Sequence, residues 1–220
     1  IAAARAAVGR TSAFHRLSKR AFDVAFSLMV LLLTLPLYPL IMLAIWIEDG
    51  RPFIFAHRRE TVGGREFPCL KFRSMRKDAE QIKAELSSRN QSDGPQFFLK
   101  NDPRVTRVGL FLRKTNLDEL PQFINVLQGR MSIVGPRPHA VEHNEQYKEL
   151  IDDYMQRHKV KPGITGWAQV NGWRGETDTV DKMKKRVEYD LHYISNWSLW
   201  LDLKIIFLTL FRGFVHKNAY

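Results

Sequence analysis

The chain has 220 residues, 45% of them hydrophobic and 26% charged, so it can bury a core and is not a disordered tail. Its formal net charge of +11 favours anionic partners such as nucleic acid, acidic lipid or phosphorylated small molecules. A single cysteine, Cys69, excludes an internal disulfide framework and a cysteine-rich zinc site, which suits a cytosol-facing location.

The first long element is an uncharged stretch of 24 residues from Val24 to Ile47. A straight helix of this length, at about 1.5 Å per residue, would cross the roughly 30 Å hydrocarbon core of a bilayer. Pro36 and Pro39 lie at its centre, where each removes a backbone hydrogen bond. Arginines and lysines flank it on both sides, and the positive-inside rule places both ends on the cytoplasmic face. We therefore predict a re-entrant helix that breaks at Pro36 and turns back, with a kinked transmembrane helix as the alternative.

Alternating patterns follow the apolar stretch. Residues 49–76 alternate apolar and basic side chains around Gly63-Gly64, which predicts a β-hairpin. Residues 77–92 predict an exposed polar helix, and 181–194 have helical spacing. The spacing of residues 105–114 does not separate helix from strand, but it carries a basic face that includes Arg113.

A short helix and a short strand are predicted in the middle of the chain. "PQFINVLQ" (121–128) predicts a helix that buries Phe123, Ile124 and Leu127, with Pro121 at its first position and a glycine after its end. "MSIV" (131–134) predicts a buried strand.

Two adjacent carboxylates, Asp118 and Glu119, stand just before the predicted helix at Pro121. A carboxylate pair can bind Mg²⁺, which bridges the phosphate oxygens of a diphosphate. An aspartate can instead be a nucleophile that forms an acyl phosphate. The simpler interpretation is a structural one, because acidic side chains are favoured near the start of any helix.

The C-terminal segment 196–215 interleaves Trp197, Trp200, Phe207 and Phe211 with leucines and few charges. Segments of this kind lie in the headgroup plane of a membrane. A helix packed into the protein core is the alternative. The chain opens on Ile1 rather than methionine, so we also expect it to be part of a longer or processed product.

Three long motifs, "LKFRSM" (70–75), "RVTRVGLFLRKTNLDELPQFINVLQGRMSIVGPRP" (104–138) and "RHKVKPGITGWAQVNG" (157–172), closely resemble the bacterial sugar transferases. These are the monotopic polyprenyl-phosphate phosphoglycosyl transferases. The last third of the chain resembles most the undecaprenyl-phosphate glucose phosphotransferases of the colanic-acid initiating type. Asn116 stands where this family usually has serine.

The resemblance implies an α/β fold: a small monotopic membrane catalytic domain with an N-terminal re-entrant helix-break-helix and amphipathic interfacial helices. The expected divisions are a basic juxtamembrane segment (1–20), the re-entrant membrane helix (21–48), the catalytic domain (49–192) and a C-terminal amphipathic membrane-associated segment (193–220). The implied location is the cytoplasmic face of the bacterial inner membrane.

The resemblance also implies a reaction. A sugar-1-phosphate, glucose-1-phosphate in this type, passes from a UDP-sugar to undecaprenyl phosphate with Mg²⁺, releasing UMP, as the first membrane step of exopolysaccharide or capsule synthesis. Asp118 would be the nucleophile that forms a phosphosugar–aspartyl intermediate, and Glu119, with Asp118, would hold Mg²⁺. Pro36 would break the membrane helix. We expect the remaining candidates to bind substrate: Lys71, Arg73, Arg113, Pro136, Arg137 and Pro138.

Other functions remain open at this point. A galactose-1-phosphate transferase of the same family is one alternative, and a hydrolase of UDP-sugars is another. A third is a non-catalytic basic adaptor bound to membrane lipid. No zinc finger or helix-turn-helix is evident, so we expect no nucleic-acid partner. The sequence leaves homo-oligomerisation open.

Overall fold

The computed structural model describes residues 13–92, 97–174 and 179–212. Its helices are α1 (Ala13–Thr34), α2 (Leu37–Asp49), α3 (Ala79–Glu85), α4 (Arg107–Thr115), α5 (Gln122–Leu127), α6 (Val141–Leu150), α7 (Val180–Ser195) and α8 (Leu199–Arg212). Its strands are β1 (Ile54–Glu60), β2 (Glu66–Phe72), β3 (Ser132–Val134) and β4 (Gly163–Thr165). Residues 1–12 of the predicted juxtamembrane segment and residues 213–220 of the predicted C-terminal segment lie outside the described residues.

Helices α1 and α2 form a bent pair at the N-terminal side of the body. The two axes meet at 60° across the break that contains Pro36. In the described ranges no single helix is long and apolar enough to cross a bilayer, whereas the pair together meets those criteria of length and composition. Leucines around the bend are exposed, including Leu33 at 73% and Leu40 at 62%. The predicted fold class, a small mixed α/β body preceded by a helix-break-helix, is confirmed.

The N-terminal half of α1, which we call its base, is attached to the rest of the protein by buried polar contacts. The Asp23 carboxylate, 2% exposed, accepts hydrogen bonds from the Ser132 hydroxyl and the Ile133 amide of β3, each 3.0 Å long. Lys19 forms an ion pair of 2.8 Å with the buried Asp202 of α8. Arg20 donates to the carbonyl oxygens of Val126 and Leu127 at the end of α5, where a cation complements the helix dipole. These contacts fix the direction in which the apolar helix leaves the body.

The two pairs of strands confirm the predicted hairpin and the predicted buried strand. Strands β1 and β2 pair antiparallel through the 3-10 turn Val62–Gly64, and β3 pairs parallel with β4. Phe67 and Cys69 are two positions apart on β2 and face one core cluster, as expected from the period of a strand, whereas Phe72 lies on the other face and packs into a second cluster.

Helix α5 corrects one prediction, because the residues it buries are not the ones predicted. Phe123, Ile124 and Leu127 are only half-buried, whereas Gln122, Asn125 and Val126 are buried. The reason is that α5 packs between α1 and β2 and completes the hydrogen bonds of the strand. The Asn125 amide accepts from the Leu70 N–H and donates to the Pro68 carbonyl, both at 2.9 Å.

Two further segments differ in length or type from the sequence pattern. The predicted helix 77–92 is confirmed only over α3 and a following 3-10 turn at Ser87–Arg89. It stops there because the Asn90 carboxamide accepts hydrogen bonds from the amides of Ser92 and Phe98, which turns the chain. The ambiguous segment 105–114 is helical, as α4.

Helix α8 has a buried side and an exposed apolar side. Asp202 and Ile205 have no exposed surface, whereas Trp200 is 75% and Phe207 60% exposed. The exposed apolar side favours the interfacial interpretation of this segment over a helix wholly enclosed in the core.

Replacing Thr106 with alanine is expected to lower the free energy of unfolding by about 1 kcal/mol. The Thr106 side chain caps α4 by accepting a hydrogen bond of 2.9 Å from the Gly109 amide. Denaturant unfolding of the purified protein would measure the loss. Thr106→Ser is the control, because it keeps the hydroxyl and should retain most of the stability; equal losses in both variants would contradict the capping role.

Candidate active site

The acid pair lies in a 3-10 turn, Leu117–Glu119, that joins α4 to α5. Asn116 enters this turn in the left-handed conformation with φ of 58°, which asparagine tolerates better than most residues. Asp118 and Glu119 are 4% and 7% exposed, so neither is a solvated acid at a surface turn. Burial of two adjacent carboxylates is costly unless cations and hydrogen bonds compensate them.

Glu119 is compensated by two cations from distant parts of the chain. Its Oε1 accepts from the Lys71 ammonium of β2 at 2.7 Å and from the Arg137 guanidinium at 2.6 Å. A second Arg137 nitrogen lies 3.4 Å from Oε2. Burial raises the pKa of Glu119, but the charges of Arg137 and Lys71 outweigh it and hold that pKa well below its usual range. Glu119 is therefore a fixed negative charge.

Asp118 has a different environment, although it is the adjacent residue. The nearest cation, the Lys71 ammonium, is 3.8 Å from its Oδ2. Its Oδ1 is buried and accepts no hydrogen bond from any described residue. Burial raises the pKa of Asp118, and the charge of Glu119 acts in the same direction against that of Lys71. Two neighbouring carboxyl groups whose environments push their pKa values apart are typical of groups with separate chemical roles.

The predicted substrate-binding residues fall into two groups. Lys71 and Arg137 contact the acid pair directly, and Arg113 lies close enough for its charge to lower the pKa of Asp118. The contacts of Arg73 are elsewhere: it forms an ion pair of 2.9 Å with Asp49 and donates to the Gly50 carbonyl. Arg73 therefore closes the junction between α2 and the hairpin, and no contact among the described residues joins it to the acid pair.

Arg113 is held in place by a close approach of two backbones. A Cβ on Gly109 would lie 1.9 Å from the Ser74 carbonyl oxygen, so only glycine allows α4 to pack this closely against residue 74. The Arg113 guanidinium then donates to the Ser74 hydroxyl at 2.9 Å.

The Pro136-Arg137-Pro138 segment is fixed through its backbone. The Pro136 carbonyl accepts from the Gly163 amide at 2.8 Å, and the Arg137 carbonyl accepts from the Arg157 guanidinium at 2.7 Å. Arg157 is itself buried in an ion pair of 2.6 Å with Asp190 of α7. The orientation of Arg137 toward Glu119 thus depends on a second, buried charge pair.

The sequence reasoning missed these supporting residues. Arg157 and Asp190 are 33 positions apart, so no spacing pattern joins them. Arg174 was also missed, although its guanidinium donates to the Asn116 carboxamide at the start of the acid-bearing turn. The motif "RHKVKPGITGWAQVNG" contains Arg157, but the sequence offers no sign of which residue this arginine would contact.

The stability of the protein is expected to fall as the pH drops below about 6.5 because of His139. Arg157 Nη1 lies 2.5 Å from His139 Nδ1 and 3.3 Å from Nε2. Because a guanidinium can only donate, one ring nitrogen has to accept, which requires a neutral ring. Burial, then the charges of Arg157 and Arg186, lower the pKa of His139 well below its usual value. On acidification the unfolded chain is protonated at His139 before the folded protein is. The contribution of this residue to the free energy of unfolding is therefore full above its unfolded pKa and is lost as the pH falls below it.

Melting temperatures of the wild type and of His139→Gln between pH 8 and 5 would test this. The wild type should lose stability more steeply than the variant below about pH 6.5. Parallel curves would show that His139 is not the group responsible.

The acid pair also offers ligands suited to a divalent cation. No group of three or more His, Cys, Asp or Glu side chains is placed for a metal ion anywhere in the described ranges. Mg²⁺, however, is commonly bound by one or two carboxylates together with substrate phosphates. The sparsely bonded Glu119 Oε2 and the neighbouring Asp118 carboxylate fit that mode of binding.

Comparison with known proteins identifies the family. The family model "Bacterial sugar transferase" matches residues 14–216. The chain is 57% identical over 209 residues to the UDP-glucose:undecaprenyl-phosphate glucose-1-phosphate transferase of Escherichia coli K12, covering 95% of this chain and 43% of that protein. It is 55% identical over 205 residues to the protein of the same name in Klebsiella pneumoniae, covering 92% of this chain and 41% of that protein.

A relative named for a different sugar also matches. The undecaprenyl-phosphate galactose phosphotransferase of Salmonella typhimurium is 43% identical over 201 residues, covering 88% of this chain and 40% of that protein. The chain thus spans about two fifths of the length of these three relatives. Since the family model covers nearly the whole chain, the chain belongs to the bacterial sugar transferase family.

Proposed function

We propose that this chain transfers glucose-1-phosphate from UDP-glucose to undecaprenyl phosphate and releases UMP. The names of the Escherichia coli and Klebsiella pneumoniae relatives support this donor and this acceptor. The transfer would be the first membrane step of exopolysaccharide or capsule synthesis, because it places the first sugar on the lipid carrier. The proposal concerns the catalytic step and not the parts of the longer relatives that this chain does not span.

The observation that carries the proposal is the contrast within the acid pair. Glu119 is held by Lys71 and Arg137, whereas the buried Asp118 Oδ1 accepts no hydrogen bond from the described residues. A carboxylate oxygen that is desolvated and unpartnered is available as a nucleophile. In the first step Asp118 Oδ1 forms a bond to the sugar-bearing phosphorus, and the bond from that phosphorus to the UMP oxygen breaks.

The second step regenerates the carboxylate. An oxygen of undecaprenyl phosphate attacks the same phosphorus, the bond to Asp118 breaks, and the lipid leaves as a sugar diphosphate. Splitting the transfer in two means that the water-soluble donor and the membrane-bound acceptor never need to be bound together. The bent pair of α1 and α2 and the exposed apolar side of α8 favour a position at the membrane surface, where the acceptor phosphate is presented.

The basic residues around the pair suit a diphosphate substrate. Arg137 and Lys71 neutralise Glu119 and bring positive charge to the place where phosphate oxygens would bind, and Arg113 adds charge from α4. We assign donor binding to Arg137, held between Pro136 and Pro138, and leave Arg73 as a structural residue. Asp118 and Glu119 would hold Mg²⁺, which neutralises developing charge on phosphate oxygens when bound.

The same features support a proposed cellular arrangement. We assign the protein to the cytoplasmic face of the bacterial inner membrane, with residues 21–48 entering one leaflet, residues 49–192 forming the catalytic domain and residues 193–220 lying along the surface. The basic residues flanking the apolar helices would attract anionic lipid at about 1 kcal/mol per charge near the surface.

Release of UMP from each donor, with and without undecaprenyl phosphate, tests the proposed function. We expect release to depend on the lipid over many turnovers and to be faster with UDP-glucose than with UDP-galactose. Faster turnover with UDP-galactose would favour the specificity in the name of the Salmonella relative. Continuous release without lipid would indicate a hydrolase, and no release with either donor would favour a non-catalytic membrane adaptor.

A further inference from the structure

A cavity of about 410 Å³ lies at the base of α1, separate from the acid pair. Five basic residues contribute to its walls: Arg16, Lys19, Arg20, Lys159 and Lys161. We call it the basic cavity. Neither Asp118 and Glu119 nor their partners Lys71, Arg113 and Arg137 are among its lining residues, so the proposed reaction does not account for its charge.

Two of the five cations have protein partners. Lys19 pairs with Asp202 at 2.8 Å, and Arg20 donates to the carbonyls that end α5. For Arg16, Lys159 and Lys161, the described part of the chain provides no ion pair and no hydrogen bond to the side chain. The basic cavity therefore has more positive charge than the surrounding protein neutralises.

Lys161 has the least favourable position of the three. It is half-buried, and burial lowers its pKa, with the charges of Arg20 and Lys19 acting in the same direction and Asp23 opposing them. The Asp23 carboxylate already accepts from Ser132 and from the backbone of β3. An anion in the cavity would relieve the repulsion among these cations.

Most of the other lining residues are apolar, which indicates what kind of anion fits. The apolar walls are formed by Val62, Val134, Val160, Ile194 and Trp197, and the polar side chains of Asp23, Ser132 and Tyr193 complete the lining. Beside Arg16 on the first turns of α1, Phe14 and Leu17 are 73% and 70% exposed. Basic side chains next to exposed apolar ones at the base of a helix that continues as an apolar segment are typical of a protein surface at a membrane headgroup layer.

We propose that the basic cavity binds the phosphate headgroup of an anionic membrane phospholipid, as a lipid site distinct from the one at which the acceptor reacts. The cations contact the phosphate, and the apolar walls contact the glycerol and the start of the acyl chains. Such a lipid would fix the height and tilt of α1 at the membrane surface, because Lys19 and Arg20 belong both to the cavity and to the contacts that fasten α1 to the body.

Native mass spectrometry of the detergent-solubilised full chain, titrated with phosphatidylglycerol or phosphatidylcholine, would test the proposal. We expect the first phosphatidylglycerol to bind at least about tenfold more tightly than phosphatidylcholine. Arg16→Gln/Lys161→Gln should lower that affinity about tenfold or more, since each removes a cation near the phosphate. The matched control is Lys184→Gln/Lys185→Gln, which removes two exposed charges from α7 and should leave the affinity unchanged.

Two further measurements separate the outcomes. The melting temperature of Lys161→Gln without lipid should not fall, because the substitution removes a repelled charge, so weaker binding would not reflect unfolding. In the second measurement, inorganic phosphate is added to the lipid-bound protein, with chloride at equal ionic strength as the control. This competition distinguishes a site for a lipid from a site for a soluble phosphate. Unchanged lipid affinity in the cavity variant, equal affinity for the two lipids, or displacement by inorganic phosphate would each overturn the proposal.

Discussion

Asp118→Asn is expected to lower the rate of the proposed sugar-phosphate transfer by at least about 1,000-fold, because the amide removes the proposed nucleophile while keeping its shape. The neighbouring contacts should survive, since Lys71 and Arg137 bind mainly to Glu119. Initial rates of UMP release with saturating donor and acceptor would measure the effect. The melting temperature of the variant should stay at or above that of the wild type, because burial already disfavours the charged form of Asp118.

Glu119→Gln is the comparison variant, because it separates a loss of activity from a loss of stability. It should also lose activity, but it should lose stability as well, because it leaves Lys71 and Arg137 beside a neutral amide. Neutralising Asp118 should thus keep or raise the melting temperature, whereas neutralising Glu119 should lower it. Substantial turnover by Asp118→Asn, within about tenfold of the wild type, would show that another group attacks the phosphorus.

Arg157→Met is expected to lower the free energy of unfolding by about 3–5 kcal/mol, the usual cost of breaking a buried ion pair by removing one partner. Arg157 and Asp190 side chains are each only 2% exposed, so the remaining carboxylate would lose its ion-pair partner in the core and keep only the nearby charge of Arg186. The substitution also removes the hydrogen bond to the Arg137 carbonyl, so activity should fall even where the variant is still folded. Denaturant unfolding and the KM for UDP-glucose would report the two effects separately.

The double variant Arg157→Met/Asp190→Asn tests the cause of this loss. Removing the stranded charge should restore part of the stability, so the two substitutions should be non-additive. The KM should stay raised, because the contact to the Arg137 carbonyl is still absent. A double variant no more stable than Arg157→Met would mean that packing around Arg157, rather than its charge, accounts for the loss.

Elements with strong local patterns were predictable from the sequence. The hairpin has alternation and a Gly-Gly turn, α7 has helical spacing, and Pro36 lies in an apolar stretch with basic residues on both sides. The buried side of α5 was predicted wrongly because hydrophobicity was taken as the guide to burial. Asn125 is buried for a different reason, since it pairs with the backbone of β2, and such a tertiary hydrogen bond leaves no periodic signal.

The candidate site was predictable only as a set of residues within motifs. Motif resemblance singled out Asp118, Glu119 and Arg137, but nothing in the sequence shows that Lys71 and Arg137 converge on Glu119 and leave Asp118 Oδ1 without a partner. That difference arises from contacts between residues 48 and 18 positions apart. The same limit explains Arg73, which is two residues after Lys71 in its motif and yet contacts Asp49.

The covalent role of Asp118 is tested most directly by intact-protein mass spectrometry after incubation with Mg²⁺ and UDP-glucose in the absence of lipid. The account predicts that the wild type gains the mass of one hexose phosphate, that Asp118→Asn gains none, and that added undecaprenyl phosphate removes the adduct. A wild-type protein that turns over with lipid present but forms no adduct without it would contradict the two-step mechanism, and an adduct on Asp118→Asn would place the nucleophile elsewhere.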